Sequence, residues 1–367
     1  MQKILHFANP LPPEIETRRM MAIGAKIKQA RNLRSLSQRD LAARLSVSNQ
    51  TVSKYEREES LPDSARLMEI ADALEIDLSY FLRAPRVGSI EPACRTKRSR
   101  SMMVKEKDAL IERIRDWLER YLEVGSILNV DDLSFEWPEG VPYDVASMDD
   151  IEAAALALRD AWSIGRDPIE HLTERLEDNA LRVGCLEAPD AFDACAFEAE
   201  VNGGIPVIAF NKDRPGDRQR FNVAHELGHL VLDVRGDLDV ETACHRFAGA
   251  FLVPRDIFVQ DVGAHRKKIS LRELELLKEK YGASMQALIY RMRDLGILNK
   301  HYAGRLFDWF ENSGHKKEEP GQPVPREHPQ RFERMVEHAL AEALISERRA
   351  AELLGRDVDR PSESVLA

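Results

Sequence analysis

His225-Glu226-Leu227-Gly228-His229 decides how the rest of this 367-residue chain is read. On a helix, residues four apart lie on one face, so the two imidazoles can close on a single metal ion. Glu226 points to one side of that pair, placed to take a proton from a water on the metal. The flanks support a helix: Phe221, Ala224, Leu227, Gly228, Val231 and Leu232 recur at spacings of three and four and make one apolar face. Gly228 costs about 1 kcal/mol relative to alanine inside a helix, so a close-packing reason is expected for it. The alternative is a core helix whose histidines are satisfied by neighbouring polar groups.

Two histidines need a third protein ligand, with water in the fourth position. The helix should stop near Asp233, because Gly236 and two aspartates follow. A second apolar pattern then runs from Glu241 to Pro254, with Asp239 as its N-cap, Pro254 as its stop, and Ala243, Phe247, Ala250 and Phe251 facing the core. Glu241, in the first turn of that helix, is the expected third ligand. His245 lies one turn on and has several readings: a partner to the ligands, a transition-state donor, a substitute ligand, or a polar residue beside the cleft. Cys244 reads as a small buried residue rather than a ligand.

Pro215-Gly216-Asp217-Arg218-Gln219-Arg220-Phe221, the His-Glu-Leu-Gly-His motif and the Glu-x-x-x-x-x-Phe-Ala-x-x-Phe-Leu-Val-Pro helix resemble the ImmA/IrrE family of metallopeptidases. The resemblance implies a zincin-like domain that binds Zn2+ through His225, His229 and Glu241, with Glu226 as general base and a peptide as substrate. The family often has Ala-Asn where this chain has Cys244-His245. Ser284 with Arg291 is similar to a downstream scaffold segment of the same family.

A second pattern lies near the start. A helix is expected from Ala22 to Asn32. Ser37 caps a following helix with Asp40 at capping-box distance, Ser46-Val47 turns the chain, and Ser48 caps Asn49 to Glu56. Two short helices about a tight turn form a helix-turn-helix, whose second helix reads the major groove. Leu36-Ser37-Gln38, Leu41-Ala42, Leu45, Val47-Ser48, Thr51-Val52-Ser53, Tyr55-Glu56, Leu61-Pro62, Leu67, Ile70-Ala71 and Leu74 resemble the Cro/CI (XRE) family over some sixty residues. The resemblance implies a five-helix, lambda-repressor-like domain. Ser37 and Gln38 would lie near phosphates, Ser48 would cap the reading helix, and Asn49, Gln50, Thr51 and Ser53 would face base edges. Lys54 and Arg57 are assigned to phosphates. Between Ala22 and Arg57 there are eight Lys or Arg and two acids, a local excess of six positive charges in a chain whose formal net charge is -10. The overall balance excludes a general nucleic-acid coat, and the local excess marks a DNA footprint. A helix-turn-helix that binds protein instead is the competing reading.

The expected fold class is α+β and mostly helical. Residues 1–20 read as a flexible leader, with Met20 or Met21 as an alternative start, and 21–84 as the all-α DNA-binding domain. Residues 85–148 form a linker and connecting helix, 149–300 the metallopeptidase domain with a small antiparallel sheet, and 301–367 a helical region. The linker's Arg95, Lys97, Arg98 and Arg100 read as a basic tether. The strands are expected at Leu181–Leu186, Ala194–Ala199 and Pro206–Phe210, with Asn202-Gly203-Gly204 as a turn. The sheet's edge would take an extended substrate by adding a strand. Ser346 to Gly355 is faintly similar to half of another helix-turn-helix. No apolar run approaches a membrane span, so no membrane partner is expected. Four scattered cysteines and no secretory signal point to a reducing cytoplasm.

Three functions fit these residues. One is a regulator that binds a double-stranded operator, as a homodimer if the site is palindromic, and that cleaves itself or a partner repressor, with a toxin as an alternative partner. The second is a non-proteolytic, antitoxin-like repressor whose peptidase-like domain serves as sensor or dimerisation scaffold. The third is a protease that uses the helix-turn-helix to dock its substrate.

Overall fold

Three side-chain caps set the helix starts of the amino-terminal unit. Ser37 Oγ accepts from the Asp40 amide at 3.1 Å while Asp40 accepts from the Ser37 amide at 2.7 Å, a reciprocal capping box. Ser48 Oγ accepts from Thr51 N at 3.1 Å, and Asp63 accepts from Arg66 N at 2.8 Å. These caps belong to a computed structural model that describes residues 13–82, 86–87, 90, 102–130, 135–201, 204–316 and 318–356. The chain divides into two units, Met1–Gly88 with Met103–Glu119, and Ser89–Met102 with Arg120–Ala367.

The first unit contains α1 (Pro13–Leu33), α2 (Gln38–Arg44), α3 (Asn49–Glu56), α4 (Ser64–Leu74), α5 (Ser79–Leu82) and the part of α6 (Val104–Ile127) up to Glu119. Ile27, Leu41, Leu45, Val52, Leu67, Ile70, Leu74 and Phe81 form its core. The first helix starts at Pro13, not near Ala22 as the sequence suggested, so part of the expected leader is helical. No glycine or further proline interrupts Glu14–Ile23, and proline suits the first helical position. The rest of the leader, to Pro12, and the basic residues of the linker lie outside the described residues.

The second unit runs through β1 (Tyr143–Val145), α7 (Met148–Ala161), α8 (Leu172–Asp178), β2 (Arg182–Leu186), β3 (Ala194–Ala199), β4 (Ile205–Asn211), α9 (Gly216–Val231), β5 (Leu232–Val234) and α10 (Val240–Leu252). It continues with α11 (Arg255–Val262), α12 (Leu271–Tyr281), α13 (Met285–Asp294), α14 (Lys300–Asn312), α15 (Arg331–Ala341) and α16 (Glu347–Leu354). The sheet is mixed rather than antiparallel, in the order β2-β4-β3: β3 pairs antiparallel to β4, and β2 pairs parallel to it. The reason is burial. Every residue of β4 is buried, so it takes the central place with a partner on each edge, and a strand run buried on both faces carries no alternation that would fix its direction. β1 and β5 form a separate parallel pair, β1 within the expected linker region and β5 at the expected end of the histidine helix near Asp233. Of the expected turn, Asn202 and Gly203 lie outside the described residues, and Gly204 has a φ of 98°.

Helix α9 packs against β3 and β4, α10 packs on α9, and α7 packs on α10, in one core that includes Ile151, Leu158, Val223, Leu227, Phe247 and Phe251. Gly228 is where α9 and α10 come closest: a Cβ there would stand 3.2 Å from Cys244 Cα and 3.2 Å from Phe247 Cδ1. That is the close-packing reason the sequence called for.

Residues 318–330 cross this unit as an extended strap between α14 and α15. Glu319 accepts from the amides of Met285 and Gln286 at 2.8 and 3.0 Å and pairs with Lys278 at 3.3 Å. Glu327 accepts from Thr173 N at 3.0 Å, Thr173 Oγ1 at 2.9 Å and Leu172 N at 3.3 Å, and is ion-paired to Arg220. Glu177 accepts from the amides of Gln330 and Arg331, both at 3.1 Å. Burial pushes the Glu177 carboxyl up to about 7. Among the described residues, no helix is long and apolar enough to cross a membrane.

Candidate functional site

Helix α9 presents His225 and His229 four residues apart, with ring centroids 4.9 Å apart and ring planes at 81°. Asp239 starts α10 by accepting from Thr242 N at 2.8 Å, which puts Glu241 in the first turn, against the histidine pair. The two oxygens of Glu241 lie 3.4 Å from His225 Nε2 and 3.4 Å from His229 Nε2. The ligand atoms of these three residues all fall within 4.8 Å of one another, the one such group among the described residues.

This donor set fits zinc. With ligand bonds of about 2.0–2.2 Å in a tetrahedron, neighbouring ligand atoms stand about 3.3–3.6 Å apart. Both carboxylate–imidazole distances match that edge. His225 is 5% exposed. Burial, with smaller contributions from His245 and His229, holds its pKa down to about 3, so the imidazole is neutral, the form that ligates a metal. Its Nδ1 has no hydrogen-bond partner among the described residues, so burial in α9 rather than an acceptor fixes the ring. Glu226 is 4% exposed on the same helix.

His245 stands beside this group and outside it. Its Nδ1 is 2.6 Å from the carbonyl oxygen of Glu241, and its ring lies 4.4 Å from that of His225 and 5.8 Å from Phe221. Donation from Nδ1–H to the carbonyl leaves Nε2 of the neutral ring with a lone pair. Cys244 is buried against Gly228. A cleft of about 1760 Å3 is lined by residues that include Thr242, His245, Phe221, Tyr290, Phe307 and Val324, beside the three-residue group rather than over it. Apart from Arg291, sequence reading missed the charges that brace this unit. Glu152 of α7 is paired with both Arg246 of α10 and Arg291 of α13. Arg159 is fully buried and donates to the carbonyls of Gly165, Phe251 and Asp167. Arginine at an otherwise apolar helix face was the available signal.

On α3, Asn49, Gln50 and Lys54 are exposed, and Val52 anchors the opposite side at 1% exposure. Lys54 makes no ion pair among the described residues. Thr51 Oγ1 is 2.9 Å from Ser48 Oγ, and Ser53 Oγ accepts from Arg57 at 3.0 Å. Arg57 also pairs with Glu59 at 3.2 Å. Gln38 donates to Glu56 at 2.8 Å, and Arg31 is forked onto the same carboxylate. The start of α2 is therefore tied to the end of α3, which fixes the angle between the two helices.

A family profile described as helix-turn-helix matches residues 27–81, and one described as IrrE N-terminal-like domain matches residues 191–293. The chain is 37% identical over 73 residues to an uncharacterised transcriptional regulator in the ATPase CF(0) region of Rhodospirillum rubrum, covering 19% of this chain and 68% of that protein. It belongs to the XRE-type helix-turn-helix transcriptional regulators. The regulator is also 24% identical over 96 residues to the HTH-type transcriptional regulator ImmR of Bacillus subtilis, covering 26% of this chain and 70% of the relative. To the uncharacterised HTH-type regulator y4aM of Sinorhizobium fredii it is 39% identical over 59 residues, covering 16% and 41% respectively. It is thus a DNA-binding regulator that carries an ImmA/IrrE-type domain, and all three side chains of the histidine–glutamate group fall inside that domain's matched span.

Proposed function

We propose that this regulator binds an operator through α3 and switches transcription by zinc-dependent cleavage of a protein, either itself or a partner repressor, in the cytoplasm. The observation that carries the reading is the pair of 3.4 Å approaches by which Glu241 spans His225 and His229. Zinc, when bound, supplies Lewis acidity toward a peptide carbonyl and lowers the pKa of water toward about 7. Glu226 takes the proton that the attacking water gives up and passes it to the leaving amine nitrogen. Its burial keeps bulk water from that transfer. The cleft beyond His245 gives an extended peptide a path, with Phe221, Tyr290 and Phe307 as apolar walls.

His229→Ala tests the ligand set. Wild-type protein should carry about one zinc per chain by elemental analysis, and the variant, one ligand short of a closed site, should lose it. Metal retained at full stoichiometry in the variant refutes the assignment.

The DNA side is tested on α3. Gln50 is exposed at the start of the reading helix, where an amide suits adenine. Gln50→Ala should change preference among operator variants by about 1–3 kcal/mol, whereas Lys54→Ala should weaken all duplexes alike. Titration of a panel of duplexes distinguishes the two, and equal behaviour of both variants counts against base reading by this helix.

A further inference from the structure

We propose that Lys105, from a helix outside the matched helix-turn-helix segment, joins Lys28 and Arg39 in a clamp on a DNA backbone phosphate. The inference concerns DNA binding alone and is independent of the metal centre. A cleft of about 650 Å3 in the first unit is lined by Lys28, Ser37, Gln38, Arg39, Asn49 and Lys105. Four of these come from the start of α2 and α3 or the residue before it, and Asn49 opens the reading helix itself. A duplex engaged by α3 therefore carries its backbone past this cleft.

Two of the three clamp cations, Lys28 and Arg39, are uncommitted, unlike their neighbours. Lys26 is paired with Glu119, Arg31 with Glu56, and Arg66 with Glu69. Lys28 and Arg39 are exposed and make no ion pair among the described residues. Lys105 lies 3.9 Å from Asp40, with the two side chains 54% and 51% exposed. An ion pair so open to solvent is weak and yields readily to a phosphate. Asp40 is also held by the Ser37 amide in its cap. Asp108 is the other carboxylate at the border. Three side chains with ammonium or guanidinium groups line this one cleft beside α3, where they offer donors to a phosphodiester oxygen pair, and each such contact displaces counterions from the duplex.

The test is the salt dependence of binding by the full chain to a random-sequence duplex, followed by fluorescence anisotropy. Lys105→Gln should lower the slope of log K against log salt by about 0.9, so that the affinity gained on going from 200 to 50 mM salt falls by about 3.5-fold. Lys107→Gln serves as control: Lys107 is exposed on the same helix and does not line the cleft, so the slope should stay at the wild-type value. An unchanged slope in the Lys105 variant overturns the clamp. So does an equal fall in both variants, which would report the general field of the helix and not a contact.

Discussion

Glu226→Gln is expected to bind zinc and DNA as the wild type does and to lose peptide cleavage. The side chain is buried beside His225 and stands outside the group of three ligand atoms, so an amide of the same shape leaves those ligands in place. What it removes is the proton acceptor. General-base catalysis contributes typically about 10²–10⁴-fold, and a loss of that size should make self-cleavage or cleavage of a co-expressed repressor undetectable on a gel. The informative comparison is in cells. If the variant represses and is relieved of repression like wild type, the regulator does not work by proteolysis, and its ImmA/IrrE-type domain acts as a sensor or scaffold.

The second large effect is structural. Glu327→Ala should destabilise the second unit by about 3–5 kcal/mol, read as a lowered urea midpoint, because it leaves a buried guanidinium without its partner. Arg220 and Glu327 side chains are each 4% exposed, and the same carboxylate satisfies two amides and a hydroxyl at the start of α8. Glu327→Gln keeps an acceptor for the amides and should cost less. Replacing Arg220 and Glu327 together with methionine and glutamine should recover part of the loss, since no unpaired charge then remains buried. A midpoint for the alanine variant within about 1 kcal/mol of wild type would mean that the pair contributes little.

Legibility in the sequence followed the range of the interactions. The helix-turn-helix was readable because its signals are local: Ser37 with Asp40, Ser48 with Thr51, and the apolar spacing of Leu41, Leu45 and Val52. The grouping of the three candidate ligands was readable for the same reason, His225 and His229 by helical spacing and Glu241 by its distance from the Asp239 cap. The parallel pairing of β2 with β4 was not, since a uniformly apolar strand such as β4 does not declare which neighbour it takes. Nor was the Arg220–Glu327 pair, whose members lie 107 residues apart. Gln38 illustrates the middle ground. Its place at the start of α2 was legible, but its bond to Glu56 depends on how α2 and α3 pack.

The strap bears on what can be cut away. Residues 191–293 hold all three side chains of the candidate metal group, yet they are no self-sufficient cassette. A Cβ on Gly216 would come within 2.0 Å of the Pro325 carbonyl oxygen, so the strap's backbone lies directly on the first turn of α9, the helix that bears both histidines. Ending the chain at residue 300 would strip that turn of its cover and take Glu319 from the start of α13 and Glu327 from Arg220. A domain trimmed that way should unfold around its own histidines, and proteolysis that nicks the strap would disable that site from a distance.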